Sequence, residues 1–290
     1  MNLPPAPRHP GRLVFLGTPA ASAVALTALV EGGHDVALVV SQPDRRRGRG
    51  GSLSPSPVKA AALDLGLPVS DAVDDALAVG ADLGVVVAFG RLIKPHVLAE
   101  LPMVNLHFSR LPRWRGAAPV ERAILAGDDR TAVDLMVVEE GLDTGGVYDR
   151  VEVPIGPDDT ADELRATLAA AGADLLVSNL ARGLGDPVPQ QGEPTYAHKI
   201  VPADLAIDWT APAAVIHRVV RVGGAWTTHD GSRLKVWRTA RAPGTPDAVA
   251  VPTGDTPIWL VEVQPEGRRR MPAAAWANGV SADVAAGLGR

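Results

Sequence analysis

The chain has 290 residues, 46% of them hydrophobic and 21% charged, which is enough apolar material for two packed domains and excludes a disordered chain. It has no cysteine, so disulfides, thiolate nucleophiles and cysteine-ligated zinc are excluded. The net charge of −5 argues against nonspecific nucleic-acid binding by the whole surface, yet residues 201–290 hold ten Lys/Arg against eight Asp/Glu, and Arg45, Arg46, Arg47 and Arg49 interrupt the acidic part as a basic cluster.

In chain order, residues 1–11 are proline-rich and read as a loose tail, with no charged and long apolar start of the kind that directs secretion. No apolar run reaches the ~20 residues that cross a bilayer, and a cytoplasmic protein with no membrane partner is expected. Arg12–Gly17 reads as a buried strand ending in the tight loop Gly17-Thr18-Pro19, followed by a helix over 20–32 that stops at Gly32-Gly33. Asp35–Ser41 is a second strand, and a long Arg/Gly loop from Gln42 to Ser54 precedes a helix opened by Ser54-Pro55-Ser56-Pro57. Leu83–Phe89 has the continuous apolar, β-branched run of a central parallel strand. Strands are also expected at Met103–Phe108, Thr131–Val138 and Val147–Val153, and a long Ala/Leu helix at 160–182, capped by Asp159 or Thr160. Strands alternating with helices give a mostly parallel, Rossmann-like sheet over 12–182. Residues 183–203 are rich in Gly, Pro and Gln and read as a linker. Beyond it, short strands, a helix near 211–221 and five of the six tryptophans suggest a small C-terminal β-barrel over 204–290, OB-like, with Trp as core filler. The alternative use of those rings is as stacking platforms for nucleobases.

The first loop offers only Gly17 where a dinucleotide fold wants three spaced glycines, so a nicotinamide cofactor is not expected. Asn105-Leu106-His107 is more informative. Residues two apart on a strand share a face, so Asn105 and His107 emerge together from an apolar strand in a sheet of the kind that binds ligands at its strand ends. An amide donor beside an imidazole suits acyl transfer, where charge develops on a carbonyl oxygen and a proton must move. Taken alone, the pair is more often a polar strand end with satisfied hydrogen bonds. The seven histidines are scattered and show no metal-ligand spacing, so no metal is expected.

Three further segments surround that pair: Ser109-Arg110-Leu111-Pro112-Arg113-Trp114-Arg115-Gly116-Ala117-Ala118-Pro119, the later Gly141-Leu142-Asp143-Thr144-Gly145, and the early Gln42-Pro43-Asp44…Gly48-Arg49-Gly50 with Pro55-Ser56-Pro57-Val58-Lys59. Together they resemble the folate-dependent formyltransferases, and the methionyl-tRNA formyltransferase family in particular, from about residue 12 to 280. The resemblance implies 10-formyltetrahydrofolate as co-substrate and initiator methionyl-tRNA as acceptor; a monomer is expected. It implies a catalytic trio of Asn105, His107 and Asp143. It further implies folate contacts from Ser109, Arg110, Leu111 and Pro112 with Phe89 and Gly90, tRNA contacts from Arg45, Arg46, Arg47 and Arg49, and a C-terminal domain holding the tRNA body. Arg110 stands where the family often has Leu, residues 70–80 are abbreviated, and the loop before Gly224-Ala225-Trp226 is shorter than usual. Two alternatives remain: the same chemistry on an amino sugar or other small amine, and a trimmed relative without turnover.

Overall fold

The computed structural model describes residues 3–46, 51–280 and 284–290. They divide into two compact units, the first comprising residues up to 119, 130–154 and 165–197, the second 120–129, 155–164 and 198–290.

The first unit is built on a seven-stranded sheet among the described residues. Its strands are β1 (Arg12–Gly17), β2 (Asp35–Val40), β5 (Val69–Ser70), β6 (Leu83–Val87), β7 (Met103–His107), β9 (Arg130–Val137) and β10 (Val147–Pro154), between which lie the two-residue strands β3 (Arg45–Arg46), β4 (Leu53–Ser54) and β8 (Arg115–Gly116). The order is β10-β9-β7-β6-β1-β2-β5, with β9 antiparallel to both its neighbours, β7 and β10, and the other pairs parallel. The chain runs outward from β1 to β2 and β5, then returns to the other side of β1 with β6 and β7. The strand order reverses between β1 and β6, and open α/β sheets place their ligands outside the carboxyl ends of the strands at such a switch point. Gly17-Thr18-Pro19 and Phe89-Gly90 sit there.

Helices α1 (Ala20–Glu31), α2 (Pro57–Asp64) and α3 (Pro95–Glu100) complete this half, together with α5 (Ala161–Arg182), which belongs to it from residue 165 onward. Ser56 caps α2 by accepting the Lys59 N–H at 3.0 Å, and Pro57 sits at the first helical position, where its missing N–H costs nothing. One face of the sheet buries Val14, Leu16, Val40, Val86 and Met103 with Val97 and Leu98 of α3. On the other face α5 approaches closely: a Cβ on Gly172 would lie 3.1 Å from Val133 and 3.5 Å from Leu106.

The segment expected as a linker is hydrogen-bonded along the first unit as far as Ala197. Val147 and Val188 exchange both main-chain bonds at 2.8 Å, and β11 (Tyr196–Ala197) pairs in parallel with β8. Gly/Pro composition marks irregular backbone, and irregular backbone can still be fully paired.

The second unit holds α4 (Pro119–Ala126), α6 (Ala213–Val222), α7 (Ala273–Ala277) and α8 (Val284–Gly287) with an antiparallel sheet of β12 (Trp226–His229), β13 (Ser232–Ala240), β15 (Ile258–Pro265) and β14 (Val249–Val251), to which β16 (Met271–Pro272) adds along β15. Thr160 caps the start of α5 in a reciprocal box, its hydroxyl taking the Glu163 N–H while the Glu163 carboxylate takes the Thr160 N–H. Among the described residues these strands form one antiparallel sheet, with no pairing between β12 and β14. Its core is aliphatic, from Ile216, Val220, Leu234, Val236, Leu260 and Val263, with Trp276 as the buried tryptophan.

His217 is buried in this unit, one ring nitrogen on Thr239 (2.8 Å) and the other on Asp158 (2.9 Å). Burial holds its pKa below the usual histidine value, against the opposing pull of Asp158. The unfolded chain therefore binds a proton at a pH where the folded one does not, so stability is full above about 6.5 and is lost as pH falls below it. Thermal melts between pH 7.5 and 5 should show this decline, and His217→Gln should flatten it; an unchanged slope in the variant assigns the decline to other groups.

Candidate active site

The site starts from β7. Leu106 turns to the α5 face, and Asn105 and His107 take the opposite one. Asn105 is half-buried, whereas His107 is 6% exposed. His107 Nε2 lies 3.0 Å from the Trp114 carbonyl oxygen. A carbonyl only accepts, so Nε2 carries a proton and Nδ1 is the nitrogen left to the site. Trp114 reaches this position with φ 65°, in the left-handed region.

Asp143 arrives from the loop between β9 and β10. Its Oδ2 lies 3.7 Å from His107 Nδ1 and accepts the Gly116 N–H at 2.7 Å. Asp143 also has a left-handed backbone, φ 51°. The neighbouring glycines are needed for space: a Cβ on Gly145 would lie 2.1 Å from the Val137 carbonyl oxygen. The side-chain amide of Gln190 donates to the carbonyls of Asp143 and Gly145, both at 2.8 Å.

The Ser109–Pro112 turn follows β7 directly. Ser109 is fully buried and its hydroxyl donates to the Arg113 carbonyl at 2.7 Å. Leu111 is held at both main-chain groups: its N–H donates to Asp134 at 3.0 Å and its carbonyl accepts from Arg150 at 2.9 Å. Asp134 is 0% exposed, and Arg150 grips it with two bonds of 2.5 Å. Burial raises the Asp134 pKa, against the opposing effect of Arg150 and the Leu111 N–H. Removing one partner from such a pair leaves a buried charge uncompensated. Arg110 points outward to Glu152 at 3.1 Å, which leaves the buried side of the turn to Ser109 and Leu111.

Phe89 and Gly90 lie past the end of β6, where Ala88 and Gly90 both have positive φ. The Phe89 carbonyl accepts from Thr18 Oγ1 at 2.9 Å and from Gln42 Nε2 at 3.3 Å, and Gln42 Oε1 accepts from Arg45 at 3.2 Å. The early Gly-Thr-Pro and Gln-Pro-Asp segments thus fix the end of β6. Arg45 and Arg46 are exposed on a short ladder with Ser54 and Leu53. Arg47 and Arg49 lie outside the described residues.

A cavity of about 780 Å³ adjoins the Asp143 loop, with Leu98, Met103 and Val138 among its apolar lining and Arg115, Glu139 and Gln190 among its polar groups. Neither Ser109–Pro112 nor Phe89–Gly90 is part of its wall. Gln190, Asp134 and the Trp114 carbonyl join the site without being expected from the sequence. Asp134 had a signal, a charge inside the apolar run Ala132-Val133-Asp134-Leu135-Met136. A main-chain carbonyl gives none.

This arrangement holds an amide, an imidazole and a carboxylate on one side of a strand end, which suits acyl transfer. The chain matches the formyl transferase model over residues 11–180 and the formyl transferase C-terminal domain model over 199–281. It is 44% identical to a methionyl-tRNA formyltransferase from Corynebacterium aurimucosum, covering 94% of this chain and 96% of that one, and 46% identical to one from Corynebacterium efficiens, covering 94% and 98%. Among solved structures it is similar in fold to an N-formyltransferase from Helicobacter canadensis crystallised with folinic acid and dTDP-3-aminofucose (TM-score 0.64, 17% identity, 86% of this chain and 98% of that one). The chain belongs to the formyl transferase family.

Proposed function

We propose that the protein transfers the formyl group of 10-formyltetrahydrofolate to the α-amino group of methionyl initiator tRNA. The observation that carries the acceptor is similarity to methionyl-tRNA formyltransferases along 94% of the chain, the C-terminal part included. The donor holds its formyl group as an N-formyl amide. A free α-amine has a pKa of about 7.7–8.0, so part of the acceptor is neutral near pH 7 and a strong base is not required. The demanding step is charge on the formyl oxygen of the tetrahedral intermediate. Asn105 Nδ2 and a proton on His107 Nδ1 stabilise it, and Asp143 orients His107 and takes the proton the amine loses, directly or through water. Collapse of the intermediate then breaks the bond between the formyl carbon and N10 of the folate, and N10 takes up that proton as tetrahydrofolate leaves. The Ser109–Pro112 turn with Phe89 and Gly90 contacts the folate.

The tRNA side rests on two basic features. The first is the Arg45, Arg46, Arg47 and Arg49 cluster. The second is the outer face of the C-terminal sheet, where Arg233 lies 4.3 Å from the Trp226 ring centre and Arg270 3.4 Å from that of Trp237, whose Nε1–H donates to Gln264. These tryptophans lie beneath cations rather than in the core, and the arrangement suits a phosphate backbone.

Replacing all four loop arginines with alanine should nearly abolish use of charged initiator tRNA while folate binding is unchanged. Arg49→Ala alone should weaken tRNA use and reduce the log–log salt slope by roughly one. A four-alanine variant that formylates the tRNA as the parent does removes the loop from the tRNA interface and shifts weight to a small-amine acceptor.

A further inference from the structure

Asp143 bears a left-handed backbone, an exposed neighbour in Leu142, and a carboxylate that must face both His107 and Gly116. Few main-chain bonds hold such a loop: the Val137 N–H donates to Gly146 at its base, and the Val138 N–H to Met103. The carbonyls of Asp143 and Gly145 are both taken by one side chain, Gln190. The oxygen of the same amide accepts from Arg115 Nε at 3.1 Å and from Nη2 at 2.6 Å. Arg115 directly precedes Gly116, whose N–H holds the Asp143 carboxylate. The Gln190 amide is therefore saturated, with both N–H groups donated and the oxygen accepting twice. Its orientation is also fixed, since a flip would set its oxygen against two carbonyls. Two residues earlier, the main-chain exchange between Val188 and Val147 anchors the segment.

We infer that Gln190 is a positioning residue for the reaction, acting through Asp143. The inference rests on the reading of Asp143 as the group that orients His107. Gln190 holds the Asp143 main chain in the left-handed conformation that aims its carboxylate, and it locks that loop to the Arg115–Gly116 strand that receives the carboxylate. A segment whose composition says linker thus supplies a support of the catalytic loop. An error of about 1 Å in a catalytic group is enough to cost about 10²-fold in rate.

The test is single-turnover formylation of charged initiator tRNA at saturating 10-formyltetrahydrofolate, with KM for both substrates and a thermal melt. Gln190→Ala and Gln190→Glu should both slow the transfer step by about 10–100-fold, with KM within about threefold and melting within a few degrees. The glutamate keeps an acceptor for Arg115 and loses the two donated bonds, so it separates the loop contact from the arginine contact. In an Asp143→Asn background the Gln190→Ala change should cost little more, because the two act as one unit. Three results would overturn the inference: parental rates in both variants, slowing only in Gln190→Ala, or an undiminished cost in the Asp143→Asn background. A parental rate in Asp143→Asn alone instead removes the reading of Asp143 on which the inference stands.

Discussion

His107→Ala is expected to lower the single-turnover rate of formyl transfer by about 10²–10⁴-fold, the range for a lost acid–base group. The ring is 6% exposed, tied at Nε2 to the Trp114 carbonyl and faced at Nδ1 by Asp143, so its removal takes away a group whose position the surrounding contacts fix. Binding of the folate and of the tRNA should change far less, because the interaction lost is made with charge that exists only near the transition state. Rapid-quench measurement at saturating substrates reads the step directly. A loss confined to KM would mean that His107 binds substrate and does not act in the transfer.

Asn105→Ala is expected to cost roughly 10²–10³-fold, as for removal of one donor to a developing oxyanion. Asn105 is half-buried on the face of β7 that carries His107, and its neighbours across the sheet are the apolar Val86 and Met136. No polar cross-strand partner there substitutes for the amide. Asn105→Asp is the sharper control, since it keeps size and replaces the donor with an acceptor. It should be at least as slow as Asn105→Ala. A rate near the parent in either variant would show that the formyl oxygen is held by other groups.

The sheet was legible because its signal is local. Val14–Leu16 and Leu83–Val87 are continuous apolar runs, and strands buried on both faces need such runs. The shared face of Asn105 and His107 followed from a period of two. The approach of Asp143 to His107 did not follow from spacing, because it depends on a loop in the left-handed region 36 residues away; the resemblance supplied it. Gln190 was hidden for a related reason: its partners are carbonyls, and carbonyls have no sequence signature. Trp226 and Trp237 counted as core filler in a composition reading, yet they lie under arginines on the outer face while Trp276 fills the core. The alternation along β13 separates the two, since Leu234 and Val236 point inward and Lys235 does not. The buried Asp134 pairs across the sheet with Arg150, and only the register of β9 on β10 shows that they meet.

The most direct test of the central claim is single-turnover transfer from 10-formyltetrahydrofolate to methionyl initiator tRNA, run beside a nucleotide-linked amino sugar as competing acceptor. Formylation of the tRNA should fall steeply with salt, slow in His107→Ala and Asn105→Ala, and leave the sugar unmodified. Formylation of the sugar in preference to the tRNA, or no transfer to either by the parent protein, would contradict it.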